Sequence, residues 1–473
     1  MARQLFASSA AALALLALLA GSVAAHQITE RYQAPLPLIA YVLGAATAVA
    51  ISFAFVILRN PGPIEGRRPA EPRTVPRWFR LGLRAVGLLA WLWIVAQAVA
   101  GGSSTADVAS LFLWVYGWVG LALVSALLGP IWFWLDPFST LHMIVAAVGR
   151  RVGLGSAGEP AAYPPRWGIW PAVIGFALVV WLELVGRVEG GRTLGLLLVG
   201  YTFVTLAAMS YFGRDQWRRH GEIFGVWFAL LGRLAPFSLA GRPEEGRVRR
   251  QPLGSGLLSG GWTVAHLVLV SLGTGAIILD GLAQTQLYFD LFGQPPPIVG
   301  TFIAVAFMAV LVALVLGAAS RLGLASVGAG LLPVAVGYLI AHYFTFLLVD
   351  GQRILHALND PLQRGDNLLP LDLGFYEPTL FLPTAIVWSI QLAAVVGGHV
   401  VGAWAGHAAL VATGARANPL RQLPLAALMV LFTSVTLWSL GQAVIAEPEA
   451  TAVREATAVR EATAVREVAA SDR

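Results

Sequence analysis

The sequence predicts an all-α protein: a polytopic transmembrane helix bundle of about ten spans, with two further helical segments that are re-entrant or interfacial. Three observations predict it. Of 473 residues, 57% are hydrophobic and only 12% are charged, about half the charge of a soluble domain. Mean hydropathy is +0.73, too high for a water-covered surface and for disorder. The apolar residues fall in runs of about 20, which is the length of a helix that crosses a bilayer. A transmembrane barrel would instead alternate over short segments.

Taken in order, residues 1–25 read as a secretory signal. Arg3 gives the positive start, an apolar stretch follows, and Val23, Ala24 and Ala25 form a small-residue cleavage site. His26 then begins the mature chain, and 26–446 form one transmembrane domain. The spans are 37–58, 82–100, 107–128, 168–186, 193–212, 256–281, 297–319, 323–349, 380–411 and 422–446. Two apolar segments, 130–148 and 222–240, do not fit as spans. Each follows an inward-going helix, carries Trp, and leads to or contains Pro-Phe-Ser. Trp and Phe at headgroup depth suit half-helices or interfacial helices, and the likeness hints at an internal repeat of the kind transporters use. The tail, 447–473, contains three copies of Glu-Ala-Thr-Ala-Val-Arg over 449–466. A six-residue period fits neither a helix nor a coiled coil, so the tail reads as disordered and solvated.

Every one of the 31 basic residues is Arg, and Cys is absent. The first looks like the coding bias of a GC-rich bacterium. The second excludes disulfides, thiolate metal sites and Cys nucleophiles. With this topology, 21 Arg lie in one set of connections and their edges, and five (Arg31, Arg187, Arg192, Arg353 and Arg364) in the other. The arginine-rich set is therefore cytoplasmic. The expected location is a bacterial cytoplasmic (inner) membrane, with the mature N-terminus and the tail outside. The net charge of +6 is explained by these connections and does not point to nucleic acid.

A titratable residue inside a span is a candidate functional group. His266, Asp280, His342, Asp350, His399 and His407 lie in spans or at their ends, with His266 placed near the middle of 256–281. Glu183, four residues before Arg187, suggests a local ion pair on one helical face. His342 and Asp350 are eight residues apart, about 12 Å of helix. Gly397, Gly398, Gly402 and Gly406 give the His399–His407 helix small faces that allow close approach. Buried imidazoles ligate a metal, relay a proton or hold helices together. A mature N-terminal His26 adds an α-amine beside a ring nitrogen, a chelate suited to copper(II) and similar to that of secreted copper proteins whose mature chain begins with His. The expected metal set is His26, His342, His356 and Asp350, for copper or zinc. The expected proton-relay set is His266, Asp280, His399 and His407. The loop 350–379, with its acidic, amide and aromatic residues, is a candidate lid.

Six stretches carry a family resemblance. They are Ala-His-Gln-Ile at the mature start, Trp-Leu-Asp-Pro-Phe-Ser-Thr at 134–140, the run 224–236, the run 341–352, Asn-Asp-Pro-Leu-Gln-Arg-Gly at 359–365, and 391–402. The chain resembles, from His26 to its last span, polytopic bacterial membrane proteins labelled "fenitrothion hydrolase". That family more often has Asn-Pro-Phe-Asp-Thr where this chain has Asp136-Pro137-Phe138-Ser139-Thr140. Ser139 replaces the acid, so no carboxylate role carries over to that position. The resemblance implies phosphotriester hydrolysis, with attack by a metal-bound hydroxide as the chemistry. The residues themselves show no zinc-hydrolase spacing, nucleophile elbow, P-loop or dinucleotide fingerprint in a suitable context.

The sequence therefore leaves four readings: a transition-metal site in the outer part of the bundle, a membrane phosphotriester hydrolase, a transporter with His and Asp as proton relay, and an accessory subunit. The expected partners are the lipid bilayer and a metal ion or small molecule.

Overall fold

The computed structural model describes residues 38–59, 70–102, 106–153, 159–188, 190–241, 245–369, 378–413 and 419–440. The expected signal segment, His26 and the repeat tail lie outside these residues. The long helices are α1 (Leu38–Arg59), α2 (Arg77–Ala100), α3 (Val108–Leu127), α6 (Trp170–Leu184) and α7 (Gly191–Phe212) in the first half. In the second half they are α10 (Val264–Ala283), α12 (Pro297–Leu322), α13 (Leu324–Asp350), α15 (Thr384–Ala412) and α16 (Pro419–Leu440). Shorter helices are α4 (Trp132–Leu135), α5 (Pro137–Arg151), α8 (Arg214–His220), α9 (Ile223–Leu231), α11 (Gln286–Phe292) and α14 (Ile354–Asn359).

Each expected span has a helix at its position. Among the described residues, eight helical segments are long and apolar enough to cross a membrane, and α1 and α16 add shorter apolar stretches at Val42–Ala54 and Ala426–Ser439. Helix α13 is the hub. It is buried over most of its length and packs on α15, α10, α3 and α12. Helices α2 and α12 are peripheral, and their exposed Val86, Leu89, Val99, Phe302, Val305 and Val310 form apolar faces suited to lipid. Much of α3, Leu111–Leu121, is wound as a wide π-helix, a form that occurs mostly as single turns inside α-helices.

Close approach explains the α13–α15 contact. A Cβ on Gly337 would sit 2.5 Å from the Ala394 carbonyl, and one on Gly398 would sit 2.6 Å from that of Pro333. Only glycine permits backbones this close. Indole donors tie the outer helices: Trp91 Nε1 bonds Thr202 Oγ1 at 2.9 Å, linking α2 to α7. Trp181 Nε1 bonds Thr301 Oγ1 at 2.9 Å, linking α6 to α12.

The mostly helical architecture holds with one addition, and one expectation is corrected. A small antiparallel sheet, β1 (Arg73–Thr74), β3 (Arg247–Arg250) and β2 (Phe237–Leu239) in that order, interrupts the all-α pattern. It pairs Arg73 with Val248 and Leu239 with Val248 on opposite edges of β3. The Pro-Phe-Ser likeness also fails as a repeat. Pro137-Phe138-Ser139 opens α5, whereas Phe237-Ser238 opens β2. What the two segments share is a capping acid. Asp136 accepts the N–H of Phe138 and Ser139, and Glu222 accepts those of Phe224 and Gly225. Each ends one short helix and starts the next. The segment 130–148 is broken at Asp136, and in 222–240 helix α9 stops at Leu231 before β2, so neither runs on as a span.

Candidate functional site: a polar track in the bundle interior

His342 and Asp280 meet in the bundle. His342 Nε2 lies 2.7 Å from Asp280 Oδ2, with the imidazole side chain 2% exposed and the carboxylate 23%. Asp280 comes from the last turns of α10, and His342 from the buried half of α13. Tyr343 Oη donates to the same Oδ2 at 3.3 Å, and Gln284 Nε2 donates to Oδ1 at 3.2 Å. Glu183 of α6 faces the Tyr343 hydroxyl as well. Five polar side chains thus converge in an apolar bundle, where such groups are costly unless partnered.

The polar residues continue along α13. Tyr338 is four residues before His342, on the same helical face. Its hydroxyl lies 3.5 Å from His399 Nε2. Thr433 Oγ1 lies 2.9 Å from that same Nε2. His399 Nδ1 faces the Val395 carbonyl at 2.8 Å. A carbonyl has no proton to give, so Nδ1 carries the ring proton and Nε2 accepts. Ser439 completes a hydroxyl stripe on α16 with Thr433 and Thr436. A Cβ on Gly281 would lie 3.0 Å from Ser439 Oγ and 3.6 Å from His342 Cε1, which places Ser439 beside the His342–Asp280 pair. Two polar groupings therefore lie along α13: Asp280, His342, Tyr343 and Gln284 together, and Tyr338, His399 and Thr433 further along, with Thr436 and Ser439 on the same face of α16 as Thr433.

The structure divides the expected site residues differently from the sequence reading. His342, expected in the metal set, is the partner of Asp280, expected in the relay set. Asp350 bonds Arg353 Nε at 3.0 Å. His356 sits on α14, beyond Asp350. Among the described residues no group of three or more His, Asp or Glu is placed to hold a metal ion, and His26 lies outside them. His342 turns its Nε2 to Asp280 on α10, so among the described residues it is joined to the expected relay set rather than to Asp350 and His356. His266 is not mid-span. Thr263 caps α10, so the helix starts at Val264 and His266 falls in the first turn, its Nδ1 2.7 Å from Thr263 Oγ1. His407 is buried on α15, two helical turns beyond His399. Glu183 and Arg187 do not share a helical face, since α6 ends at Leu184 and Arg187 has φ 48°.

The described part of the expected lid is clamped. Asp360 accepts the N–H groups of Arg364, Gly365 and Asp366. Trp93 Nε1 and Gln97 Nε2 donate to the Pro361 carbonyl, and Arg364 donates to that of Ala100. These bonds fix 360–366 on the end of α2.

Tyr338, Tyr343, Thr433, Thr436 and Ser439 were not singled out by sequence reasoning. The signal available was the hydroxyl at every third position in Thr433-Ser434-Val435-Thr436-Leu437-Trp438-Ser439, a stripe on one face of a helix.

A second buried cluster joins the two short-helix segments at the arginine-rich end. Arg218 Nε pairs with Asp136 Oδ2 at 3.0 Å, and Arg218 Nη2 donates to the Phe133 carbonyl at 2.6 Å. Glu222 takes Trp132 Nε1 at 3.0 Å and Tyr201 Oη at 2.8 Å. The exchange is reciprocal: Trp132 and Arg218, each four residues before a capping acid, bond the other segment's acid. Burial pushes the Asp136 carboxyl up, opposed by the Arg218 guanidinium. Burial pushes Glu222 up to about 7, and the nearby Asp136 charge adds to it.

No family model matches the chain, and no curated protein or solved structure matches it. The molecule is defined by its own geometry: a multi-pass helical bundle of apolar helices with a polar track in its interior.

Proposed function

We propose that this chain is an integral protein of a bacterial cytoplasmic membrane, with ten spans and the arginine-rich end in the cytoplasm. In this reading it moves protons, or a solute coupled to protons, with His342–Asp280 as the protonation site. The observation that carries the proposal is the 2.7 Å His342–Asp280 contact in the bundle interior. Imidazole and carboxylate this close exchange one proton without moving apart, and Tyr343 and Gln284 hold the carboxylate while they do so. The hydroxyls of Tyr338, Thr433 and Thr436 supply further groups that both donate and accept, as a relay toward His399 requires. The segments 130–148 and 222–240, tied to each other through the capping acids Asp136 and Glu222, suit interfacial elements at the arginine-rich end.

The test is proton flux into liposomes carrying the purified full-length chain, read with an entrapped pH-sensitive dye under an imposed pH gradient. The wild type is expected to conduct above empty liposomes. His342→Ala and Asp280→Asn are expected to lower flux about tenfold or more, the scale of one lost charged hydrogen bond. Wild-type flux equal to that of empty liposomes, with and without candidate solutes, overturns the reading.

A further inference from the structure

A cavity of about 790 Å3 opens at the arginine-rich end, between α5, the segment 160–163 and the start of α8. Two guanidiniums are in its lining, Arg150 from α5 and Arg214 from α8. Asp215 is the one carboxylate in the lining, and Arg214 Nε holds it at 3.4 Å. The lining thus carries a net positive charge. His142, also in the lining, is pushed down by burial and by the Arg214 charge, so it is neutral at pH 7 and serves as a hydrogen-bonding group.

The walls are held in place. Arg218 of α8 pairs with Asp136, which caps α5, so the two helices that flank the cavity are pinned beneath it. Tyr163 and Phe212 add aromatic rings to the lining. Tyr163 stacks on His220 with ring centroids 5.1 Å apart and meets Phe212 edge-on at 5.4 Å. Its hydroxyl donates to the Gly168 carbonyl at 2.8 Å, and Ala161 N–H bonds the Tyr211 carbonyl at 2.7 Å.

We propose that this cavity binds a phosphate ester through Arg150 and Arg214. Two guanidiniums brought to one cavity by two different helices match the several oxygens of a phosphate, which each can engage in forked, charge-assisted bonds. The volume lies in the range of small-molecule sites and is too large for inorganic phosphate alone. Met143, Ala146 and Phe212 provide apolar wall for the organic part, and Asp215 is an acceptor for its hydroxyls. The opposite face of α5 exposes Ile144, Val145 and Val148. That face lies in lipid when α5 is interfacial, which sets the cavity mouth at headgroup level. The same phosphate chemistry therefore has two sources: the headgroup of an anionic phospholipid, or a soluble phosphate ester.

The experiment uses the full-length chain, delipidated in detergent, titrated with phosphatidylglycerol, phosphatidylcholine and glycerol 3-phosphate, with binding read by native mass spectrometry. Saturable binding of phosphatidylglycerol that glycerol 3-phosphate does not displace assigns a lipid headgroup. Binding of glycerol 3-phosphate by itself assigns a soluble ester. In either case Arg150→Gln and Arg214→Gln are each expected to weaken binding about tenfold, while Arg321→Gln, elsewhere at the same end, leaves it unchanged. Ala146→Trp fills the cavity without touching a charge and is expected to abolish binding at wild-type helicity by circular dichroism. The proposal is overturned if neither phosphate compound binds saturably. It is also overturned if phosphatidylcholine binds equally well, or if Ala146→Trp and the double Arg150→Gln, Arg214→Gln variant bind like the wild type. None of these readouts depends on His342 or Asp280.

Discussion

Asp280 and Glu222 are both carboxylates placed among apolar helices, and each is accommodated differently. Asp280 shares its charge with an imidazole, a phenol and an amide. Glu222 is fully buried and takes four donors: Trp132, Tyr201 and the N–H groups of Phe224 and Gly225. Those donors favour its charge, whereas burial and Asp136 oppose it, and the balance lies at about 7. The sign of the resulting pH dependence follows from proton counting. Between about 4.5 and about 7 the folded chain holds a proton on Glu222 that the unfolded chain has released, so the stabilisation is complete at low pH and is lost as pH rises through 7. Thermal unfolding in detergent is expected to shift downward from about pH 5.5 to about pH 8, and Glu222→Gln to flatten that slope. An unchanged slope in the variant assigns the effect to another group. Asp136 and Tyr201 are titratable groups that act on Glu222, and the same scan on Tyr201→Phe separates the loss of a donor from the loss of the proton.

Among the elements, the α13–α15 pair shows how strictly one face is set. Gly397 and Gly398 are neighbours on α15, yet they meet different surroundings. A Cβ on Gly397 touches nothing within 4 Å, whereas one on Gly398 would lie 2.6 Å from the Pro333 carbonyl. Gly398→Ala is expected to destabilise the protein by about 1–3 kcal/mol, the range for overpacking a tight contact. Gly397→Ala is expected to be neutral or to stabilise by up to about 1 kcal/mol through helix propensity. Unfolding of the two variants in the same detergent checks both, and equal effects would contradict the face assignment. The sequence reading recognised the small-residue helix but treated its glycines alike. Which of them touches α13 depends on the rotation of α15, and that is set by its partner. The short helices teach the converse. Pro-Phe-Ser occurs in both segments, but it begins a helix in one and a strand in the other, because the second is captured by β3 through Phe237–Arg250 pairing.

For the whole molecule, orientation is the first prediction. The chain has no Cys, so single cysteines can be introduced without background. With the arginine-rich end in the cytoplasm, Glu245→Cys is expected to react with an impermeant maleimide only from the inside of membrane vesicles, and Asp366→Cys only from the outside. The reverse pattern would invert the topology. The span positions were legible because hydropathy and the 1.5 Å rise per residue are local quantities. The metal set was not legible in the same way. It joined His342 to Asp350 and His356 by nearness in the chain, whereas His342 turns to Asp280, 62 residues away, and Asp350 turns to Arg353.

By itself the sequence determined that this chain forms apolar helices of membrane length, where those helices lie, and which rare polar residues they carry. Those properties follow from composition and helix geometry within each segment. Only the tertiary structure decided which of the polar residues meet. It joined Asp280 to His342, His399 to Thr433 and Tyr338, and Arg218 to Asp136, and it moved His266 to the end of α10. Contacts of this kind depend on the rotation and register of helices packed against one another. In an apolar bundle those are set by glycine faces and by the need of each buried polar group for a partner.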